Sequence, residues 1–146
     1  GHWIKFADNE EGVVTDIGWR TTRVRNGRNS IVVIPNTKIT SGVLTNYSLP
    51  EKRMQVEMPI LAAYEADADA ISKLAVDEAV RTPGVLAQPA PKVWFNPGFL
   101  PTHMQLTLMF SVAEFTEQGP ALSTLRHRLH KRMREEGIPM PRVEPR

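Results

Sequence analysis

The hydrophobic pattern changes character at Leu49, and that change decides what the chain can fold into. Before it, β-branched and apolar residues come in short runs broken by turn residues; after it, strand-like alternation and helical stripes take turns. In the first half, Glu11-Gly12-Val13-Val14-Thr15-Asp16-Ile17 places Val13, Thr15 and Ile17 on one face of a strand. Thr21 to Arg25 is a second strand, running into Asn26-Gly27, the dipeptide that a two-residue type I′ hairpin turn favours. Ser30-Ile31-Val32-Val33-Ile34 is nearly all apolar, which predicts a strand buried on both faces. Pro35-Asn36 ends it, and Val43 to Tyr47 predicts one more strand. Short strands at this density imply a small barrel or SH3-like sheet.

In the second half, Met54, Val56, Met58 and Ile60 alternate with Gln55, Glu57 and Pro59, so Pro59 marks an edge or a strand end. Asp67 or Asp69 can cap a helix over 68–80 whose buried stripe is Ile71, Leu74, Ala75 and Ala79, with Pro83-Gly84 as the stop. Lys92 to Phe95 is a brief strand closed by an Asn96-Pro97-Gly98 turn. Met104, Leu106, Leu108, Phe110 and Val112 give the clearest period of two in the chain. Pro120 suits the first turn of a second helix with the stripe Leu122, Leu125, Leu129 and Met133, and Gly137 suits its C′ position. The order β-α-β-β-α is ferredoxin-like in kind.

Composition removes several function classes. The 146 residues include no cysteine, which excludes disulfides, thiol nucleophiles and Cys-ligated zinc. No apolar run reaches the ~20 residues that cross a bilayer. With 23% charged residues and a mean hydropathy of −0.29, the composition is that of a globular domain. Net charge is +2, and the second half is balanced, so no polyanion footprint is visible. Gly1-His2 reads as a tag remnant with no signal peptide behind it.

Each candidate for chemistry has a plainer account. His127 and His130 are three apart on the second helix, but they lie among Arg126, Arg128, Lys131, Arg132 and Arg134, which would repel a cation. They read as part of a solvated basic face, favourable near a helix C-terminus. Arg20, Arg23, Arg25 and Arg28 on the first hairpin could meet phosphates, yet only Trp19 is there to stack a base. Glu65, Asp67 and Asp69 read as helix capping, not as a calcium site. His103 reads as an ordinary strand residue. No G-x-S-x-G, Walker A or G-x-G-x-x-G motif occurs, so no catalytic residue, cofactor site or metal site is assigned and no enzyme is expected.

Four stretches in order carry a resemblance: Glu11 to Ile17 with Thr21-Thr22 and Ile34-Pro35-Asn36-Thr37-Lys38-Ile39; Asn46-Tyr47-Ser48; Ala63-Tyr64-Glu65-Ala66-Asp67-Ala68-Asp69; and Gly137-Ile138-Pro139-Met140-Pro141. From Glu11 to Pro141 the chain resembles the small-conductance mechanosensitive channel (MscS) family. Val143 stands where the last proline of the family's Gly-Ile-x-x-Pro-x-Pro ending would fall. The resemblance implies an α+β fold: an SH3/Sm-like five-stranded β-barrel over 11–48 just below the membrane, then the ferredoxin-like βαββα domain over 49–146. Residues 1–10 would then be the tag remnant and the junction to a preceding pore helix.

It further implies a homoheptamer at a cell (inner) membrane, with this segment on the cytoplasmic side as a vestibule that passes ions and small solutes. The membrane contact would run through upstream helices outside this sequence. Gly12, Pro35, Asn36, Asn46, Pro139 and Pro141 are the structural or subunit-interface candidates. Pro35 and Asn36 either shape a turn or meet a neighbouring subunit. No cofactor and no nucleic acid are expected, and the alternative is an Sm-like or ferredoxin-like RNA-binding module.

Overall fold

The computed structural model describes residues 1–8 and 10–142, so Val143 at the family ending and Asn9 in the expected junction lie outside the described residues. The chain divides into two units, Gly1–Arg53 and Met54–Arg146.

The first unit holds strands β1 (Trp3–Ala7), β2 (Glu10–Ile17), β3 (Thr21–Asn26) and β4 (Ile31–Pro35), helix α1 (Asn36–Ser41) and a two-residue strand β5 (Thr45–Asn46). They form one antiparallel sheet in the order β4-β3-β2-β1-β5. Among the described residues no ladder joins β4 to β5, so the five strands make an open sheet, and the expected barrel is not closed. Trp3–Ala7, expected as a junction, is instead a full member of the sheet between β2 and β5.

Three further expectations change for local reasons. A register shift between Val14 and Asp16 interrupts the alternation of β2, so Val14 faces buried Val24 and Ile17 crosses to lie opposite Thr22. The expected face of Val13, Thr15 and Ile17 is therefore not one face. Ile31 and Val33 are 53% and 55% exposed, because the sheet face they share with exposed Arg25 and Arg23 of β3 is uncovered, while Ile34 on the other face is buried. The β3–β4 connection is a four-residue loop in which the Asn26 carboxamide oxygen accepts from the amides of Arg28 and Ser30. The positive φ falls on Asn29, at 62°, and not on Gly27. Val43 is almost fully exposed and stands outside β5.

Gly12 is required by close approach. A Cβ there would lie 2.5 Å from both the Arg25 carbonyl oxygen and Val24 Cγ1, beside the small core of Ile4, Val24 and Ile34.

The second unit follows β6 (Met54–Ala62), α2 (Ala68–Arg81), β7 (Lys92–Phe99), β8 (Met104–Val112), a 3-10 turn (Phe115–Glu117) and α3 (Gln118–Glu135). The sheet order β6-β8-β7 is antiparallel at both ladders, so β6 and β7 run parallel on either side of β8. This is the expected βαββα order, in a mixed α/β fold with antiparallel sheets. The alternation in β6 and β8 turns Val56, Met58, Ile60, Leu106, Leu108 and Phe110 into the core, where they meet Ile71, Leu74, Ala75 and Ala79 of α2 and Leu125, Leu129 and Met133 of α3. Leu122 is only half-buried, and Ala121 takes its place in the buried stripe. Pro59 sits mid-strand in β6, tolerated because one side of this edge strand has no partner to receive an N–H.

Asn96-Pro97-Gly98 does not end its strand: β7 runs on to Phe99 through a register break between Trp94 and Gly98, where Gly98 adopts φ +83°. The hairpin turn comes later, closed by the Leu100 amide on the His103 carbonyl, so His103 lies in the turn and not on a strand. The ends of the helices follow their local signals. Asp67 caps α2 by accepting from the amides of Asp69 and Ala70. Gly137, at φ +65°, ends α3 in a Schellman arrangement: its amide donates to Arg134 and that of Ile138 to Met133. The chain then turns back, and the Pro139 carbonyl accepts from the Ala63 amide at the end of β6.

Two stability measurements check these points. Asp67→Ala is expected to destabilise the second unit by about 1 kcal/mol in denaturant unfolding. Gly12→Ala is expected to cost the first unit ~1–3 kcal/mol, the range for inserting a group into a packed site; an unchanged midpoint would refute the close-approach reading.

Candidate functional site

Site geometry in the first unit begins at Ile34-Pro35-Asn36. Ile34 is buried, Pro35 (φ −59°, ψ 133°) ends β4 and directs the chain into α1, and Asn36 is the first helical residue. The Asn36 amide donates to the Arg20 carbonyl at 2.8 Å, and its Nδ2 donates to the Gly18 carbonyl at 2.8 Å. Its Oδ1 accepts from the hydroxyl of buried Thr22 at 2.6 Å. Asn36 thus fastens the β2–β3 turn, strand β3 and α1 together, a task that a turn-forming preference does not reveal.

Asn46 pairs with Ile4 in β5; its Oδ1 accepts from the Ser48 amide at 2.9 Å, and its Nδ2 lies 3.1 Å from His2 Nδ1. Ser48 Oγ in turn accepts from the Trp3 amide, so Asn46-Tyr47-Ser48 seals the start of β1. Burial, with the Glu11 carboxylate as a second cause, pushes the Tyr47 phenol above its ordinary pKa. Asn36 and Asn46 both line a groove of about 550 Å³, whose apolar wall is Ile4, Val14, Ile17, Ile39 and Leu44. The four candidates of this unit therefore support one small sheet, with Gly12 in its tightest strand contact.

Pro139 and Pro141 belong to the second unit. Pro139 closes the return to Ala63 and lines a charged concavity of about 530 Å³ with Asp67, Lys73, Asp77, Arg132 and Glu136. Pro141 lies half-buried two residues beyond.

The basic helix is not simply a solvated face. Arg128 Nε donates to Glu78 Oε2 at 3.0 Å, while Arg132 Nη1 donates to Glu78 Oε1 at 3.0 Å and to Asp77 Oδ2 at 3.2 Å. Arg132 Nε also reaches Glu136, at 3.3 Å. These bonds, Glu78 foremost, raise the Arg132 guanidinium above its ordinary pKa. Glu78 is 6% exposed, and two guanidinium groups supply the partners that a buried carboxylate needs. This is a clamp between α2 and α3. The signal was present in the sequence: Glu78 falls on the same helical stripe as Ile71, Leu74 and Ala75, four residues before Thr82.

His127 and His130 stay exposed on α3, and no group of three or more metal-binding side chains occurs among the described residues. The hairpin arginines spread along β3 from Arg20 at one end to Arg28, which shares a shallow pocket with Glu10 and Glu11, at the other. One exposed cluster went unread: Phe95 and Phe99 have ring centroids 5.3 Å apart, and Phe99 lies 6.3 Å from Tyr64, whose hydroxyl donates to the Leu100 carbonyl.

Glu78→Ala is expected to lower the thermal midpoint of the second unit by about 5 °C, since two guanidinium groups lose their buried partner. His127→Ala and His130→Ala should leave the midpoint unchanged in the same melt.

Residues 1–49 match the family described as "Mechanosensitive ion channel, beta-domain". The chain is 36% identical over 74 residues to the large-conductance mechanosensitive channel MscMJLR of Methanocaldococcus jannaschii, a match over 50% of this chain and 20% of that protein. Over 134 residues it is 25% identical to the miniconductance mechanosensitive channel MscM of Escherichia coli, covering 89% of this chain and 12% of that one. The chain thus spans a fifth or less of the length of these relatives. Its fold is similar to that of Helicobacter pylori MscS in a closed-state crystal structure, with a TM-score of 0.80 at 17% identity over 100% of this chain and 57% of that one. Residues 1–49 are thus similar in sequence to the beta-domain of mechanosensitive channels, and the fold of the whole chain is similar to that of an MscS channel.

Proposed function

We propose that the chain is the cytoplasmic vestibule part of a tension-gated channel that releases ions and small solutes, with the pore on helices outside these 146 residues. The carrying observation is the fold match over the whole chain combined with the beta-domain match over residues 1–49. No helix among the described residues is long and apolar enough to cross a membrane, so gating and conduction belong to other segments in this reading. The relatives are channels and not enzymes by name, which favours a non-catalytic role.

The chain would work as a ring of identical copies, seven by family resemblance, closed by heterologous contacts. Ile31 and Val33, exposed on an edge strand that carries no bulge and flanked on β3 by Arg25 and Arg23, are the surface that most favours a neighbouring copy. Gly12, Asn36 and Asn46 would serve that surface indirectly, by fixing the sheet behind it. Pro35 would end the edge, and Pro139 and Pro141 would direct the chain leaving the second unit. The near-balance of charge in that unit suits a vestibule wall that passes small ions of either sign.

The parent gene, read upstream of Trp3, should encode apolar helices of about 20 residues. The full protein, patched in a host stripped of its own osmotic channels, should carry currents that rise with suction. Val33→Asp should reduce its assembled ring to smaller species in size-resolved mass measurements. A polar upstream region, or a full protein with no tension-dependent current, would overturn the reading.

A further inference from the structure

The turn between β2 and β3 holds two strongly exposed apolar side chains. Ile17 is 73% exposed and Trp19 is 85% exposed. Arg20 places its guanidinium 4.3 Å from the Trp19 ring centroid, so an aromatic plane and a cation occupy one projecting spot. The turn is also held firmly. The Gly18 amide donates to the Thr21 carbonyl, and Asn36 takes both the Gly18 and the Arg20 carbonyls from the α1 side. A solvent-exposed tryptophan on so well-braced a tip gains nothing from water.

We propose that the tip formed by Ile17, Trp19 and Arg20 docks on an anionic phospholipid surface. Trp19 would sit at the level of the headgroups, where an amphipathic ring is most favourable, and Ile17 would reach toward the acyl chains. Arg20 would meet the lipid phosphates, with Lys38 exposed on α1 as a second cation. The nearest acidic group in sequence, Asp16, lies opposite Arg23 in the β2–β3 register. Gly1 and His2 line the same groove as Ile17, so the segment that the proposed function puts in the membrane would arrive at this face. The inference rests on that reading for its setting, but its test does not depend on channel activity.

The chain is sedimented with vesicles of phosphatidylcholine mixed with phosphatidylglycerol, and with vesicles of phosphatidylcholine alone, at physiological ionic strength. It should bind the mixed vesicles and bind the neutral ones much more weakly, with affinity falling as salt rises. Trp19→Ala should weaken binding about ten-fold, and Arg20→Ala roughly five-fold, both variants keeping the wild-type circular dichroism spectrum. The Trp19 contribution, taken as the emission of wild type minus that of Trp19→Ala, should shift to the blue when vesicles are added. Absence of binding, or binding that both variants retain, would overturn the proposal. So would a Trp19 blue shift that follows protein concentration without vesicles, which would assign the tip to a second copy. Binding by a chain whose parent gene encodes no membrane helix would uphold the tip and sink the channel reading.

Discussion

A single carboxamide organises the first unit. Asn36 has one acceptor oxygen and one amide nitrogen, and it spends them on buried Thr22 and on the carbonyl of Gly18, while its backbone amide takes Arg20. Without the carboxamide, the buried Thr22 hydroxyl would lose its acceptor and the Gly18 carbonyl its side-chain donor, an outcome that buried polar groups tolerate poorly. Pro35 makes the arrangement possible by fixing the backbone just before α1, so that the Asn36 side chain reaches back across β3. The edge strand, the projecting turn and the wall of the groove are all placed by this one residue and its neighbour.

The two units are stabilised in different ways. In the second, the faces of helices α2 and α3 that meet the sheet are apolar, and the buried carboxylate of Glu78 between them is answered by two arginines. In the first, among the described residues, Ile4, Val24 and Ile34 form the buried cluster, with Phe6, Val14, Val32 and Ile39 packed around it. A sheet of about fifty residues with so little buried is near the size at which a lone domain becomes marginal. In the proposed ring, contacts with other copies would therefore contribute more to the first unit than to the second.

Legibility followed the same division. A sheet covered on one side by helices writes its orientation into alternation, which is why β6, β8, α2, the Asp67 cap and the Gly137 terminus could be read from residues. An edge strand carries no such mark: Ile31 to Ile34 is as apolar as a central strand, and only the sheet order shows that one flank is open. Bulges are equally silent, since one extra residue in β2 moves Ile17 to the other face without altering composition. The Asn26-Gly27 signal misled because the Asn26 side chain itself bonds the loop backbone and favours a longer connection. At the candidate site, Pro35 and Asn36 stood out as a motif, but the work of Asn36 depends on Thr22 and Gly18, which are distant in sequence. Glu78 was legible in principle, as a carboxylate on a buried stripe, and its partners were hidden in a helix that looked uniformly basic.

The return of the chain after α3 has a mechanical consequence. Ile138 is bonded to the last turn of α3 and Pro139 to the amide that follows β6, one after the other along the backbone. A pull on the chain beyond Pro141 would therefore load a helix and a strand together before either could peel away. Two hydrogen bonds anchored in different elements share the force, and the strand end they join is the one that leads through Tyr64 and Asp67 into α2. Tension entering at that end of the unit would be spread into its core and not spent on unwinding the terminus.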